Sequence, residues 1–262
     1  QLARRIAPAQ HITLILSDVV GSPLDVIASG PTVPDSSTFG DAWRVVERYE
    51  LRGELPTAVV HHLQAGLSGS IAETPKPGDL AFARGRVVVV GDNAAAAQAA
   101  REAAAAAGFD ALLLSTFVEG EAREVAKVAV ALGREIAAFG RPVRPPACLI
   151  LGGETTVTVR GTGAGGRNQE LALAAALALQ GREHITLVAL ATDGSDGPTD
   201  AAGGIVDGST VARGAALGLS AAAYLQNNDA YPYLQATGAL LVTGPTRTNV
   251  ADLILVFVVS PA

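Results

Sequence analysis

Two spacings of apolar residues alternate along this chain, and the switches between them mark its elements. Residues 12–16, Ile-Thr-Leu-Ile-Leu, read as a buried first strand. Gly21, Pro23, Gly30, Pro31 and Pro34 then forbid a regular element until a helix begins near Thr38, where Trp43, Val46 and Tyr49 share one face. Residues 87–91, Val-Val-Val-Val-Gly, predict a fully buried parallel strand. The helix after it starts at the cap pair Asp92-Asn93 and stops at Gly108. A strand at 111–115 and a helix at 120–138 follow. Beyond the proline-rich stretch 141–146 come strands at 148–151 and 155–160, a helix at 167–180, a strand at 185–191 and a helix at 209–217. Strands at 239–242 and 253–259 close the pattern.

Alternation of this kind predicts an α/β fold with mostly parallel or mixed sheets, helices on both faces, and two domains of which the first is incomplete. The breaker-rich stretches 74–79 and 141–146 divide the chain into residues 1–77, 78–146 and 147–262. The incompleteness is inferred from the start: the chain opens at Gln1, holds no methionine, and reaches a strand within a dozen residues. It reads as the C-terminal part of a longer protein.

Composition narrows the class. Hydrophobic residues make up 49% but aromatics only 4%, so the layers are packed with Ala, Val and Leu. A net charge of −6 gives no basic footprint for nucleic acid, and no apolar run is long enough to span a bilayer. With one cysteine, Cys148, a disulfide framework is excluded, and the residue reads as part of a buried strand. The expected setting is the cytoplasm, with a homodimer left open. His11, His61, His62 and His184 lack metal-ligand spacing, and His61-His62 read as a solvated helix face.

Candidate chemistry gathers in four polar loops at expected strand ends. Residues 161–166 form a glycine-rich turn that opens onto the helix beginning at Arg167. Amides at a helix start attract anions, Gly163, Gly165 and Gly166 would admit a phosphate, and Arg167 adds a fork of donors. A surface salt bridge from Arg167 to Glu170 is the plainer alternative, and Glu154 reads either as a partner for Arg167 or as a strand-edge charge. In the loop after strand 185–191, Asp193, Asp196 and Asp200 suit Mg²⁺ together with substrate phosphates. Alternatively, one of them accepts a proton from an attacking hydroxyl. Asp18 with Ser29, Gly30 and Thr32 forms another loop, and Thr243 and Gly244 a fourth. Gly161-x-Gly163-x-x-Gly166 also matches the dinucleotide fingerprint, which keeps an NAD(P)H-dependent reductase open.

Taken together, Ser17-Asp18-Val19-Val20-Gly21, Ser29-Gly30-Pro31-Thr32, Gly152-Gly153-Glu154-Thr155-Thr156, Gly165-Gly166-Arg167-Asn168-Gln169-Glu170, Thr192-Asp193-Gly194, Asn227-Asn228-Asp229 and Thr243-Gly244-Pro245 resemble the ATP-dependent glycerate 2-kinases. The resemblance implies that residues 1–77 are the remainder of an N-terminal DUF4147-like domain, that 78–146 join the domains, and that 147–262 form a MOFRL domain. It implies ATP and Mg²⁺ as cofactors, D-glycerate as substrate, and a catalytic lysine in a portion preceding Gln1. Arg167 and Asp193 become the expected catalytic residues, with metal at Asp193 and Asp196. Asp18, Ser29, Gly30, Thr32, Glu154, Thr155, Gly163, Gly165, Gly166, Asn168, Thr243 and Gly244 become the expected substrate or nucleotide contacts. Three residues depart from the family pattern: Ser22, Ala230 and Arg247, the last in a loop near the expected cleft. The competing expectations are a hydroxypyruvate reductase, or a fragment of the kinase that is inactive alone.

Overall fold

The computed structural model describes residues 1–260, which divide into two compact units. One comprises residues 1–15 and 22–90, the other 16–21 and 91 onward, so the units part at positions other than the two proline-rich linkers.

In the first unit, α1 (Leu2–Ile6), β1 (His11–Leu16), α2 (Phe39–Arg48), α3 (Thr57–Leu67) and β2 (Gly85–Gly91) follow in order. The start of α2 is fixed by a reciprocal cap: the Asp41 N–H donates to Thr38 Oγ1 at 3.1 Å, and the Thr38 N–H donates to Asp41 Oδ2 at 2.8 Å. Val46 of that helix is buried, but Tyr49 lies just past its end and is exposed, so the expected three-residue face is shorter than its spacing suggested. His61 and His62 are exposed on α3.

Strands β1 and β2 pair with each other in a two-stranded sheet. The prediction that both are buried is wrong. Ile12 is 68% and Leu14 67% exposed, and Val88, Val89 and Val90 are exposed as well. An apolar run predicts burial only when something covers it, and no described element covers this face.

The second unit is built on a six-stranded sheet. Its elements are α4 (Asn93–Ala106), β3 (Asp110–Glu121), α5 (Ala122–Phe139), β4 (Ala147–Thr156), α6 (Arg167–Leu179), β5 (Ile185–Ala191), β6 (Gly203–Asp207), α7 (Thr210–Ala216), α8 (Ala221–Gln226), α9 (Ala230–Ala236), β7 (Leu240–Leu241) and β8 (Asp252–Val258). The strand order is β3-β4-β8-β5-β6-β7. Only β3 and β4 pair in parallel; β8 runs antiparallel between β4 and β5, and β6 and β7 continue antiparallel. The sheet is therefore mixed rather than mostly parallel. The expected strands at 148–151 and 155–160 are one continuous β4 followed by an irregular loop, while β6, α8 and α9 carry too little periodicity to be foreseen.

Alternation along β4 assigns its two faces. Leu149 and Leu151 pack with α5 and α6, whereas Cys148 and Ile150 pack against Ala97 and Ala104 of α4. Helices thus lie on both faces, as expected, and Cys148 is fully buried with burial pushing its thiol up to about 11. Helix α6 is buried on nearly every side, which explains its run of Ala and Leu.

Candidate active site

Because β3, β4 and β5 run the same way and β8 runs against them, the C-terminal ends of the first three meet the N-terminal end of β8 on one edge of the sheet. The pairing register brings Asp252, first residue of β8, opposite Gly153 on one side and Ala191 on the other. Glu154 lies opposite Glu119 of β3. Side chains from four strands therefore converge here although their numbers are far apart.

A cavity of about 670 Å³ opens at this edge, lined by Glu119, Glu154, Thr155, Val157, Val159, Gly163, Gly165, Gly166, Arg167, Glu170, Asp196, Pro198 and Asn228. That volume falls within the range of small-molecule sites. Arg167 begins α6 at the cavity, with its side chain 32% exposed. It is not free. Its Nε and Nη2 donate to the two carboxylate oxygens of Asp252 at 2.5 and 3.0 Å, and Nη1 lies 2.7 Å from Glu154 Oε1. Burial works against the charge of Asp252, and the guanidinium works for it. Glu154 is accordingly a partner of Arg167. Glu170 is not; it pairs with Arg123.

The start of α6 holds an internal anion. Asp196 Oδ1 accepts from the Asn168 N–H at 3.2 Å and Oδ2 from the Gln169 N–H at 2.8 Å, while Asn168 Nδ2 donates to Oδ1 at 3.3 Å. The carboxylate takes the place at the helix start where a phosphate was expected. A Cβ on Gly166 would strike the Asp196 side chain, one on Gly163 would strike Asp229, and one on Gly161 would strike Asn227. These glycines make room for neighbouring protein, and Gly163 and Gly166 also line the cavity. Gly165 lines the cavity without so close a neighbour. Asn168 is buried and its side chain is engaged with Asp196. Thr155 and Asn168 also border an internal void of about 10 Å³ beside Asp252.

The expectation of a metal at Asp193 and Asp196 fares differently at its two residues. Asp196 is buried, burial pushes its carboxyl above the usual carboxylate range, and both its oxygens accept from helix amides. That carboxylate does not fit a metal role. Asp193 is half-buried and accepts from the Ser195 N–H through Oδ1, at 2.8 Å. Among the described residues no cluster of three or more His, Cys, Asp or Glu side chains is arranged to hold a metal. Asp193 stands close enough to Asp252 to disfavour its charge, so it belongs to the same edge as Arg167. Asp200 is exposed and accepts from the Tyr231 hydroxyl at 2.8 Å.

Asp193 also joins the loop of residues 243–249. Its carbonyl accepts from the Thr246 N–H at 3.1 Å, and a Cβ on Gly194 would meet Thr243 and Gly244. Asn249 donates to Asp18 Oδ2 at 3.3 Å, so Asp18, Asp193, Thr243 and Gly244 form one group. Arg247 is exposed in this loop with φ of 64°, a left-handed conformation that favours glycine. Ser29, Gly30 and Thr32 lie in the first unit, where Thr32 Oγ1 is 2.8 Å from Thr13 Oγ1 and Gly30 packs against Asp25.

The dinucleotide fingerprint finds no support in this geometry. The irregular residues 157–166 separate β4 from α6, so there is no tight strand–turn–helix, and two of its three glycines pack against residues 227–229. Sequence reasoning missed Asp252, Glu119 and the cavity-facing role of Asn228. Asp252 had a signal: it is a lone acid at the head of an apolar strand.

A mixed α/β domain with an acid-rich cavity around one pinned arginine is the class that fold and site define. Comparison with known proteins makes the class specific. The MOFRL family model matches residues 147–252, and the model of a domain of unknown function, DUF4147, matches residues 1–64. The D-glycerate 2-kinase of Thermotoga maritima is 46% identical over 259 residues, covering 99% of this chain and 59% of its own length. The glycerate kinase of Macaca fascicularis is 36% identical over 300 residues, covering 98% of this chain and 74% of its own. The crystal structure of the glycerate kinase of Thermotoga maritima superposes with a TM-score of 0.88 at 45% identity, over 98% of this chain and 59% of that one. The chain belongs to the glycerate kinase family. It spans about three-fifths of the length of the Thermotoga relative.

Proposed function

We propose that the protein containing this chain transfers the γ-phosphoryl group of ATP to the 2-hydroxyl of D-glycerate, giving 2-phosphoglycerate and ADP. The observation that carries this reading is the 46% identity to a D-glycerate 2-kinase across 99% of the chain, the cavity edge included. Phosphoryl transfer asks for positioning and charge neutralisation rather than covalent chemistry, and the pinned guanidinium suits that demand.

In this reading Arg167, held by Asp252 and Glu154, is a fixed positive centre for phosphate or substrate carboxylate. Glu154 is the exchangeable partner: its side chain is 42% exposed, against 6% for Asp252. Asp193 accepts the proton of the 2-hydroxyl as that oxygen attacks the γ-phosphorus and ADP departs. A Mg²⁺ ion arriving with ATP would meet Asp193 rather than Asp196, and would supply neutralisation of phosphate charge in a cavity rich in carboxylates. Asp18, Thr243 and Gly244 border the same loop group, and Ser29, Gly30 and Thr32 are proposed as substrate or nucleotide contacts. The net charge of −6 supports small molecules over nucleic acid as partners, and no helix among the described residues is long and apolar enough to cross a membrane. A cytoplasmic setting is the one we propose.

Two assays test this. ADP release with D-glycerate is measured for the 262-residue chain and for a chimera that adds the portion of the Thermotoga relative this chain does not span. Expected are turnover in the chimera, little in the chain alone, and a loss of about 100-fold or more in the chimera with Arg167→Ala. NADH oxidation with hydroxypyruvate in place of ADP release would overturn the kinase reading in favour of a reductase.

A further inference from the structure

Five consecutive backbone amides of the glycine-rich loop are bound by three consecutive residues elsewhere in the chain. Asn228 Oδ1 accepts from the N–H groups of Arg160 and Gly161 at 2.7 and 3.0 Å. Asn227 Oδ1 accepts from the Thr162 N–H at 3.2 Å, and its carbonyl accepts from the Gly163 N–H at 3.0 Å. Asp229 Oδ1 accepts from the Ala164 N–H at 2.8 Å. With these amides taken, residues 160–164 do not present a nest of free donors to a phosphate. Of the five residues Gly163 lines the cavity, in a stretch flanked by the lining residues Val159 and Gly165.

The middle residue of the template is itself oriented. Asn228 Nδ2 donates to Glu170 Oε2 at 2.8 Å, which leaves Oδ1 no choice but to face the loop amides. Glu170 is held in turn by Arg123, whose Nε and Nη2 donate to Oε1 at 3.0 and 2.5 Å. Glu170 and Asn228 are both buried yet both border the cavity. Asn228 also adopts φ of 53°, a left-handed conformation in which asparagine is one of the few tolerated side chains.

We infer that Asn228, with its polarity set by the Arg123–Glu170 pair, is a positioning residue that fixes residues 160–164 and, through Gly163, the adjoining wall of the substrate cavity. The inference rests on the kinase reading for the identity of the substrates, and on the hydrogen bonds alone for the loop. Asn228→Asp keeps the acceptor for the loop amides but sets two carboxylates face to face. Adding Glu170→Gln reverses the polarity of the contact: the introduced amide donates to the new carboxylate, and its oxygen still accepts from Arg123.

The test has two arms. Hydrogen exchange without substrate follows the amides of residues 160–164, and steady-state kinetics in the chimera follow KM and kcat for ATP and D-glycerate. Expected for Asn228→Asp are exchange faster by about tenfold or more and a KM for at least one substrate raised by about tenfold, with kcat within about threefold. The double variant should return both quantities to within about threefold of the parent. The inference is overturned if the single variant changes neither quantity, if the double variant is no better than the single, or if exchange follows the polarity swap while both KM values stay unchanged. A parent that exchanges as expected but turns over neither substrate overturns the kinase reading and the substrate half of the inference, while the exchange arm still decides the loop half.

Discussion

Arg167 Nε and Asp252 Oδ2 are 2.5 Å apart, joining the first residue of α6 to the first residue of β8 across 85 positions of sequence. The pair is bidentate, and the carboxylate is nearly buried while the guanidinium is a third exposed. Removing the charge of Asp252 leaves Arg167 partly buried with Glu154 alone. Asp252→Asn should therefore lower unfolding free energy by about 2 kcal/mol, below the usual cost of breaking a fully buried pair because Arg167 still reaches water. Urea unfolding measures it, and an unchanged midpoint at unchanged slope would remove this pair from the stabilising contacts.

Glu154 competes with any incoming anion for the same guanidinium. Glu154→Gln removes that competition and should tighten binding of ATP, or of glycerate where its carboxylate is the ligand, by about three- to tenfold, the effect of roughly 1 kcal/mol at a partly exposed pair. Calorimetric titration of each ligand decides which one Arg167 receives. Weaker binding of both ligands would mean that Glu154 orients the arginine rather than blocks it.

The carboxyl of Asp196 is pushed above its ordinary value, chiefly by burial, with the amides of Gln169 and Asn168 pulling it partway back. An acid whose folded value is raised takes up a proton on folding in the window just above the ordinary 3.8. Its contribution to stability is then fully present below the unfolded value and is lost as pH rises through the folded one. The stability of the parent relative to Asp196→Asn should grow as pH falls from neutrality toward about 4. Paired unfolding curves across that range test the sign, and a difference that shrinks on acidification would contradict it.

Much of this architecture was legible from residues, and the failures have physical causes. The helix at Thr38 announced itself through the end of a run of turn formers and the spacing of Trp43 and Val46, and β5 through an apolar run between turn formers, because both signals are local. Partner strands were not legible: nothing within residues 253–259 reveals that β8 inserts antiparallel between β4 and β5. Arg167 and Glu154 were found because polar residues stand out beside glycines. Asp252 was overlooked because only the pairing register brings it to them. That Asp196 binds the start of α6 was hidden for a related reason, since a carboxylate that caps a helix and one that holds a metal look the same in sequence. The Asn227-Asn228-Asp229 segment entered only as part of the family resemblance, because its five amide partners lie more than 60 positions away.

The uncovered face of the β1–β2 ribbon bears on how these 262 residues behave at the bench. Ile12, Leu14, Val88 and Val90 offer water a greasy, strand-shaped surface, the kind that recruits further strands or hydrophobic dyes. The isolated polypeptide should show concentration-dependent light scattering and bind such dyes without being denatured. Substituting Ile12 and Leu14 by threonine, which keeps the extended backbone, should suppress both signals while leaving the fold of the second unit unchanged.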